Sequence, residues 1–322
     1  MKLKILLILS IFVSTLSVSF GEIEATINIS PSNPTPNSSV NLTLSSYSFD
    51  VNTSNITWIV SGKTTLSGLG AKNLTIKTGG LGTQTTVTAS VVAPDGSTLS
   101  TSVTIVPSSI DLLFESPESE VPLFYDGRSL PGEGAGIRVV AIPNISEGGA
   151  LVSRNRLSYS WYLNDELLSS ASGLGKQSVS LKLDYLNDAN IIKVAVSSPG
   201  GLSSQKSITV YPHDIIPALY TYDDILGVDY SRMIERRFET TKDFTLALEP
   251  YYLSTKGVAS GGEVDDWLLD GLPITPIGGR LLSLSPAENS YGAKNLAISI
   301  SNIKRNLQKA ETSIDLIFDT RK

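Results

Sequence analysis

The sequence predicts an all-β chain of three tandem β-sandwich domains. The three tryptophans, Trp58, Trp161 and Trp267, stand 103 and 106 residues apart, which fits one sandwich per tryptophan. Around each tryptophan, runs that alternate apolar and polar residues lie between Gly- and Pro-rich stretches, the pattern of half-buried antiparallel strands. An internal repeat of this length constrains the fold before any single motif does.

The first domain is predicted over residues 22–107. Its predicted elements are, in order, the strands Ala25–Ile29 and Val40–Leu44, the Trp58 strand, a turn at Ser67–Gly70, the strand Leu74–Ile76, and a closing hairpin of Val87–Val92 and Val103–Ile105. The sequence Pro94-Asp95-Gly96 marks the hairpin turn, because these residue types favour tight turns.

The second domain, residues 108–211, repeats this order. Its predicted elements are Ile110–Phe114, Ile137–Ile142, the Trp161 strand, a second Ser-Gly-Leu-Gly turn at Ser172–Gly175, Val179–Leu183, and a hairpin of Ile191–Val196 and Ile208–Val210.

The third domain, residues 212–322, departs from the repeat in two places. Its predicted strands are Ile215–Tyr220, Phe244–Leu248, the Trp267 strand, Leu282–Leu284, Leu296–Ile300 and Ile314–Phe318. An insertion at Ser231–Phe238 is predicted to form a helical turn, and Ser301–Ser313 is predicted to be a long hairpin loop. The short junctions at Pro107-Ser108 and Tyr211-Pro212 predict a semi-rigid, extended rod.

The N-terminal residues 1–21 are predicted to be a secretory signal peptide. Lys2 and Lys4 precede the apolar stretch Ile5–Val18, and small residues follow it, which predicts cleavage between Gly21 and Glu22. The mature protein is therefore expected to be secreted or held at the cell surface. The alternative is an uncleaved anchor, which would be the only link to a membrane.

The composition excludes several classes of chemistry. The formal net charge of −6 disfavours nucleic-acid partners, which need a basic field. The chain has no cysteine, so disulfides and thiolate sites are excluded. Its single histidine, His213, cannot supply a multi-histidine zinc site, and a Ser-His-Asp triad that depends on this one residue is not credible. His213 is instead expected to be a solvated linker residue.

Six Asn-x-Ser/Thr sequons fall in the first domain and a seventh begins at Asn144. The six begin at Asn28, Asn37, Asn41, Asn52, Asn55 and Asn73. In a eukaryote they would predict heavy glycosylation. A bacterial sequence rich in Ser, Thr and Asn, which matches the pattern by chance, is the favoured interpretation.

The segment Trp161–Glu166 resembles strand C of an immunoglobulin-like (Ig-like) domain and the turn that follows it. With the Gly-Leu-Gly turns and the closing hairpins, the chain resembles bacterial Ig-like or PKD-like domains in tandem, although no copy has the Trp-x-Phe-Gly-Asp-Gly segment usual in PKD domains. The resemblance is one of fold and names no specific family. It implies that the three tryptophans are structural core residues, and by association it implies a surface role near pilus or appendage assembly.

No residue pattern predicts a catalytic site. The Gly-Leu-Gly turns resemble half of a dinucleotide fingerprint, but they recur once per domain and no helix pattern follows them. Two groups of acidic residues leave Ca²⁺ binding open, and the alternative is that they form solvated acidic loops. These groups are Asp223, Asp224 and Asp229, and Asp265, Asp266 and Asp270. No other cofactor is predicted.

Lys304, Arg305 and Lys309 are the candidate partner-binding residues, on a charged loop expected at the free tip of the rod. The predicted function is that of a non-enzymatic secreted or cell-surface structural or adhesive rod, with a link to appendage assembly. The alternative is an accessory carbohydrate- or protein-binding protein. The expected partners are other surface proteins or polysaccharide.

Overall fold

The computed structural model describes residues 24–123, 125–305 and 308–321. The predicted signal peptide and its cleavage point lie outside these residues. Every regular element in the described chain is a strand or a three-residue 3₁₀ helix, so the prediction of an all-β fold is confirmed. Among the same residues, no helix has the length and apolar character needed to cross a bilayer.

The described chain divides into two compact units. Residues 24–79 and 83–106 form the first unit, and residues 80–82 and 107–321 form the second. The first unit holds one β-sandwich, and the second holds two. The tandem Ig-like architecture expected from the repeat is therefore present, with its second and third members joined in one unit.

The first sandwich contains seven antiparallel strands. They are β1 (Thr26–Ser30), β2 (Ser39–Ser45), β3 (Asn55–Val60), β4 (Lys63–Leu69), β5 (Asn73–Lys77), β6 (Thr85–Val92) and β7 (Thr98–Ile105), with a 3₁₀ helix at Val51–Thr53. The sheet β1-β2-β5 packs on the sheet β4-β3-β6-β7. The interior consists of alternate residues of both sheets, among them Leu42 and Trp58, which are fully buried.

The second sandwich repeats this topology. Its strands are β8 (Ser109–Glu115), β9 (Gly136–Asn144), β10 (Ser146–Glu147), β11 (Ala150–Leu151), β12 (Ser158–Leu163), β13 (Glu166–Leu167), β14 (Gly173–Leu174), β15 (Ser178–Lys182), β16 (Asn190–Ser197) and β17 (Ser203–Val210), with a 3₁₀ helix at Arg154–Arg156. The sheet β15-β9-β8 faces the sheet β13-β12-β16-β17. The connection between β8 and β9 spans residues 116–135, far more than the eight residues between β1 and β2.

The third sandwich adds strands to the edges of both sheets. Its strands are β18 (Ile216–Asp223), β19 (Gly227–Val228), β20 (Arg237–Thr240), β21 (Phe244–Tyr251), β22 (Glu263–Leu269), β23 (Leu272–Ile274), β24 (Leu281–Leu284), β25 (Tyr291–Asn302) and β26 (Lys309–Asp319), with a 3₁₀ helix at Gly257–Ala259. One sheet has the order β19-β18-β21-β24, and the other has the order β20-β26-β25-β22-β23.

The helical turn predicted over Ser231–Phe238 is wrong. The segment crosses from one sheet to the other: Ile234 forms a bridge with Leu219, and β20 then pairs in parallel with β26. Eight residues are too few for a stable helix without tertiary support. Pairing with the free edge of β26 satisfies the backbone instead.

The long loop predicted over Ser301–Ser313 is also wrong. Strands β25 and β26 pair from Ser301↔Lys309 to Tyr291↔Asp319, so only residues 303–308 separate the two strands. The extra residues lengthen the hairpin rather than its loop. Ser301, Lys309, Glu311 and Ser313 share the outward face of the ladder, so the region is rich in polar residues and resembles a loop in the sequence.

The alternating directions of the antiparallel strands determine which connections of the third sandwich lie at the same end, or pole, of the sandwich. Ile216 at the start of β18 pairs with Tyr251 at the end of β21, and Glu263 at the start of β22 pairs with Asn302 at the end of β25. The β21–β22 connection and the β25–β26 turn therefore lie at the pole where this sandwich begins. This pole contacts the second sandwich.

Candidate functional site

The second and third sandwiches contact each other where the β8–β9 connection meets the first pole of the third sandwich. We call this contact the junction. The N–H of Glu120 donates to the carbonyl of Leu253 (2.8 Å), and the N–H of Tyr252 donates to the carbonyl of Glu120 (3.0 Å). Ser119 and Ser254 form an antiparallel bridge. A short β-ladder thus crosses from one sandwich to the other.

A buried ion pair lies beside this ladder. The carboxylate of Glu118 meets the guanidinium of Arg305 with Oε2 and Nη2 2.6 Å apart, and the two side chains are only 14% and 13% exposed. Glu118 Oε2 also accepts a hydrogen bond from the N–H of Gly136 (3.3 Å). Because both charges are withdrawn from water, removing either one would leave the other buried without a partner.

Lys304, Arg305 and Lys309 therefore have different surroundings. Arg305 is held in the junction by Glu118. Lys304 is exposed, and its Nζ donates to the carbonyl of Ser260 within the same sandwich. Lys309 is exposed at the start of β26. A partner-binding role for Lys304 and Lys309 stays a prediction, whereas the charge of Arg305 is already neutralised inside the molecule.

Gln308 of the third sandwich reaches the second sandwich through its side-chain amide. Its Nε2 donates to the carbonyl of Glu133 in the second sandwich (2.8 Å) and to Oγ of Ser254 in the third (3.0 Å), while its Oε1 accepts from the N–H of Ser254 (2.7 Å). Gln308 is 1% exposed. Asn302, also buried, donates to the carbonyls of Ser254 and Ala259 from the next turn. Because its polar groups are buried and hydrogen-bonded, this network fixes the position of the third sandwich relative to the second.

The backbone approaches closely at Gly132. A Cβ at this position would lie 2.8 Å from the carbonyl oxygen of Tyr252 and 2.9 Å from Cδ1 of Ile215. The adjacent Pro131 carbonyl accepts a hydrogen bond from the N–H of His213 (2.8 Å). Rather than a solvated linker residue, His213 is half-buried, with its ring 5.5 Å from that of Tyr252.

Tyrosines extend the contact along one side of the junction. Tyr125 of the second sandwich meets Tyr251 of the third edge-on, with ring centroids 6.5 Å apart. The hydroxyls of Tyr251 and Tyr220 are 2.9 Å apart, and the Tyr230 hydroxyl donates to Oε1 of Glu249 (2.9 Å). Burial raises the pKa of the Glu249 carboxyl, and burial together with the bond to Glu249 raises the pKa of Tyr230 to about 12.

Carboxylates surround Arg280 on the other side. Its Nη2 lies 2.7 and 2.8 Å from the two carboxylate oxygens of Glu263, and its Nη1 is 3.7 Å from Oε1 of Glu120. Burial, and next the charge of Glu263, raise the pKa of Asp265 to about 6. Among the described residues, no three His, Cys, Asp or Glu side chains are arranged to hold a metal ion. Arg280 is the cation that these carboxylates share.

The repeated tryptophans and the Gly-Leu-Gly segments belong to one local structure. The predicted turns are shorter than expected, because the first Gly and the Leu of each segment pair with the tryptophan strand as part of β4 or β14, and only the second glycine turns the chain. Trp58 and Trp161 are fully buried; their indole N–H groups donate to the carbonyls of Ala71 (2.6 Å) and Lys176 (2.8 Å), each of which follows the second glycine of a turn. That glycine has a positive φ in both copies. Trp267 is 2% exposed, and its indole nitrogen has no partner within the described chain.

Two of the acidic loop residues bond to their own turns, and a third pairs with a lysine on a neighbouring strand. Asp223 accepts from the N–H groups of Ile225 and Leu226, and Asp229 accepts from the N–H of Ser231. Asp270 pairs with Lys294. Hydrogen bonds lower the pKa of all three carboxyls: chiefly the bond from the N–H of Leu226 to Asp223, that from the hydroxyl of Ser231 to Asp229, and that from Lys294 to Asp270.

Glu118, Gly132 and Gln308 were missed by reasoning from the sequence. Two signals point to them. The β8–β9 stretch is too long for a tight turn and contains Pro117, Pro122 and Pro131. In addition, the hairpin that contains Arg305 is equivalent to the β6–β7 hairpin of the first sandwich, whose turn follows an even number of alternating strands and so lies at the pole where that sandwich starts. The Arg305 loop therefore belongs at the junction and not at a free tip.

No protein-family model matches this chain, and no curated protein matches it. Among solved structures, the fibronectin(III)-like modules of Clostridium thermocellum CbhA align at 14% identity, with 59% of this chain and 94% of theirs covered and a TM-score of 0.30. Three N-terminal domains of the bacteriophage RB49 Hoc protein align at 10% identity over 93% and 99% of the two chains (TM-score 0.25). Sidekick-1 immunoglobulin domains 1–5 align at 14% identity over 93% and 60% (TM-score 0.29).

Proposed function

We propose that this chain is a non-enzymatic, secreted or cell-surface modular protein with a structural or adhesive role, in which the second and third sandwiches act as one stiff element. The observation that carries the proposal is the junction, where the buried Glu118–Arg305 pair, the Gln308 amide and the Ser119–Ser254 bridge fix one sandwich on the next.

A stiff pair of sandwiches suits a protein that spaces or anchors other molecules. Domains joined by a plain linker move relative to one another unless their interface is large. Here the backbone of both sandwiches is paired across the junction, so bending would break backbone hydrogen bonds and expose a buried ion pair. The polar side chains at the junction bond to one another and to backbone groups of both sandwiches, which supports a structural role for them.

We also propose that the protein is exported and that its partners are extracellular. The N-terminal sequence supports export through a signal peptide cleaved between Gly21 and Glu22. The partners proposed are other surface proteins or a polysaccharide, and a role in pilus or appendage assembly belongs to the same proposal.

A second candidate, binding of a neutral polysaccharide, is supported by the outward face of the sheet β1-β2-β5. Thr43 Oγ1 donates to Asn73 Oδ1 (3.1 Å), and Thr75 Oγ1 donates to Asn41 Oδ1 (2.7 Å). Lys77 is the only charged residue in these three strands. Asn-x-Ser/Thr spacing places both residues on one face of a strand, so the sequons at Asn28, Asn41 and Asn73 mark this face.

The structural role is tested on producing cells that carry the wild-type chain, Arg305→Ala or Lys193→Ala. Arg305→Ala leaves Glu118 buried without its partner, whereas Lys193→Ala removes an ion pair to Asp165, which is 84% exposed. We expect equal surface display of all three and loss of attachment under flow only with Arg305→Ala. Unchanged attachment of cells that lack the chain altogether would contradict the proposal. Loss of polysaccharide binding on Asn41→Ala, with attachment to protein-coated surfaces intact, would favour the second candidate.

A further inference from the structure

The third sandwich has an exposed apolar tip at the pole opposite the junction. The hairpin of β18 and β19 turns through residues 224–226, and Ile225 and Leu226 at its end are 91% and 87% exposed. Two adjacent aliphatic side chains so fully in water are unfavourable for a free surface, because each would gain from burial. The pair is therefore a candidate contact.

The tip is held in one conformation. Oδ1 of Asp223 accepts hydrogen bonds from the N–H groups of Ile225 (2.8 Å) and Leu226 (2.9 Å). Gly227, with φ +81°, completes the turn, and Tyr222 pairs with Val228 behind it. A side chain presented on such a braced turn loses little conformational entropy when a partner covers it.

A cavity opens between the two sheets at the same pole. It has a volume of about 310 Å³ and is lined mainly by apolar side chains, including Phe244, Leu269, Leu284, Pro286 and Phe318. This volume lies at the lower limit of the roughly 300–1,000 Å³ of ligand sites. It offers room for a pair of aliphatic side chains.

The tip and the cavity are neighbours that do not fill each other. Leu226 lies in a surface depression that also includes Phe238 and Phe244, and Phe244 lines the cavity as well. Ile225 and Leu226 remain exposed, so they do not fill the cavity of their own copy.

We propose that the chain associates with a second copy of itself through this pole, the Ile225–Leu226 tip of each copy entering the cavity of the other. A tip and a cavity on one pole make a self-complementary patch, which a two-fold axis converts into two equal contacts and a closed pair. The patch is small, and interfaces below about 1,000 Å² are transient. The association is therefore weak, and it matters where copies are crowded on a surface.

Sedimentation velocity of the full chain over a wide concentration range tests the proposal. We expect a monomer–dimer equilibrium that the double substitution Ile225→Ser with Leu226→Ser weakens by at least tenfold. Ala287→Trp, which fills the mouth of the cavity, should do the same. Ile303→Ser is the matched control, because Ile303 is 66% exposed but lies at the opposite pole; it should leave the equilibrium unchanged.

Mixing the two weakened variants gives the sharper test. The tip variant retains its cavity, and the filled-cavity variant retains its tip, so a mixture restores one of the two contacts and should form heterodimers that neither variant forms alone. A wild-type chain that stays monomeric at the highest concentration would overturn the proposal. Tip-dependent co-sedimentation of a monomeric chain with vesicles of phosphatidylcholine and phosphatidylglycerol would also overturn it, because the tip would then insert into lipid.

Discussion

At the residue scale, the three tryptophans occupy the same place in three sandwiches but differ in one bond. The indole N–H of Trp58 and of Trp161 has a carbonyl partner, whereas that of Trp267 has none in the described chain. A buried donor without a partner costs free energy, and so does a buried carbonyl that loses its donor. Of the three tryptophans, the one in the third core is thus the one with an unpaired indole donor among the described residues.

Replacement by phenylalanine should expose this difference. Trp58→Phe and Trp161→Phe each leave a carbonyl without its donor, at about 1–3 kcal/mol beyond the loss of ring volume. Trp267→Phe removes an unpartnered donor and should destabilise less. Calorimetric melting of the three variants checks the order, and an equal or larger loss for Trp267→Phe would show that this indole has a partner in solution.

The raised pKa of Asp265 predicts that the stability of the protein depends on pH. Burial raises this pKa to about 6, above the usual value near 3.8, so the folded state binds the proton more tightly than the unfolded state. Its contribution to stability is therefore favourable below about pH 4 and is lost as pH rises through 6. Asp265→Asn should flatten the pH dependence of the melting temperature between pH 4 and 7 and raise that temperature at pH 7. A steeper dependence in the variant would contradict this assignment.

At the element scale, the β8–β9 connection forms the junction because its backbone can approach the third sandwich. Gly132→Ala would place a methyl group 2.8 Å from the carbonyl oxygen of Tyr252. We expect this substitution to open the junction and to speed proteolysis within residues 116–135. Gly292→Ala is the control, since its Cβ would be 3.7 Å or more from Phe318 and its φ is ordinary. Equal protease resistance of both variants would mean that Gly132 tolerates a side chain.

The sequence predicts most of the strands because period-two alternation reports directly on which face is buried. Strand β3 was expected around Trp58, and it ends at a two-residue turn, Ser61-Gly62, in which both residues have positive φ. The same kind of turn follows the other two tryptophan strands, at Asn164-Asp165 and Asp270-Gly271. Such turns match the twist of a hairpin and are readable from the sequence.

The junction was not predictable in the same way. Glu118 and Arg305 are 187 residues apart, and nothing in the local pattern of either residue reports on the other. Their meeting depends on tertiary packing of two domains. The strand β20 was missed for a related reason: the edge of β26 that it pairs with is created by the third sandwich itself.

At the scale of the whole molecule, three similar sandwiches form two compact units. The repeat predicts three equivalent domains, yet the second and third share a backbone ladder, a buried ion pair and a bridging amide. The sequence thus predicts three domains, whereas the structure contains two compact units, because the second and third sandwiches are interlocked.

Hydrogen–deuterium exchange of the full chain tests whether the second and third sandwiches form one interlocked unit. The amides of Glu120, Tyr252 and Thr255 donate across the junction, so they should exchange as slowly as strand amides of the third sandwich. Arg305→Ala should release all three together and leave the strands protected. Fast exchange at these amides in the wild-type chain, with both sandwiches protected, would show that the junction is open in solution and that the two sandwiches are not interlocked.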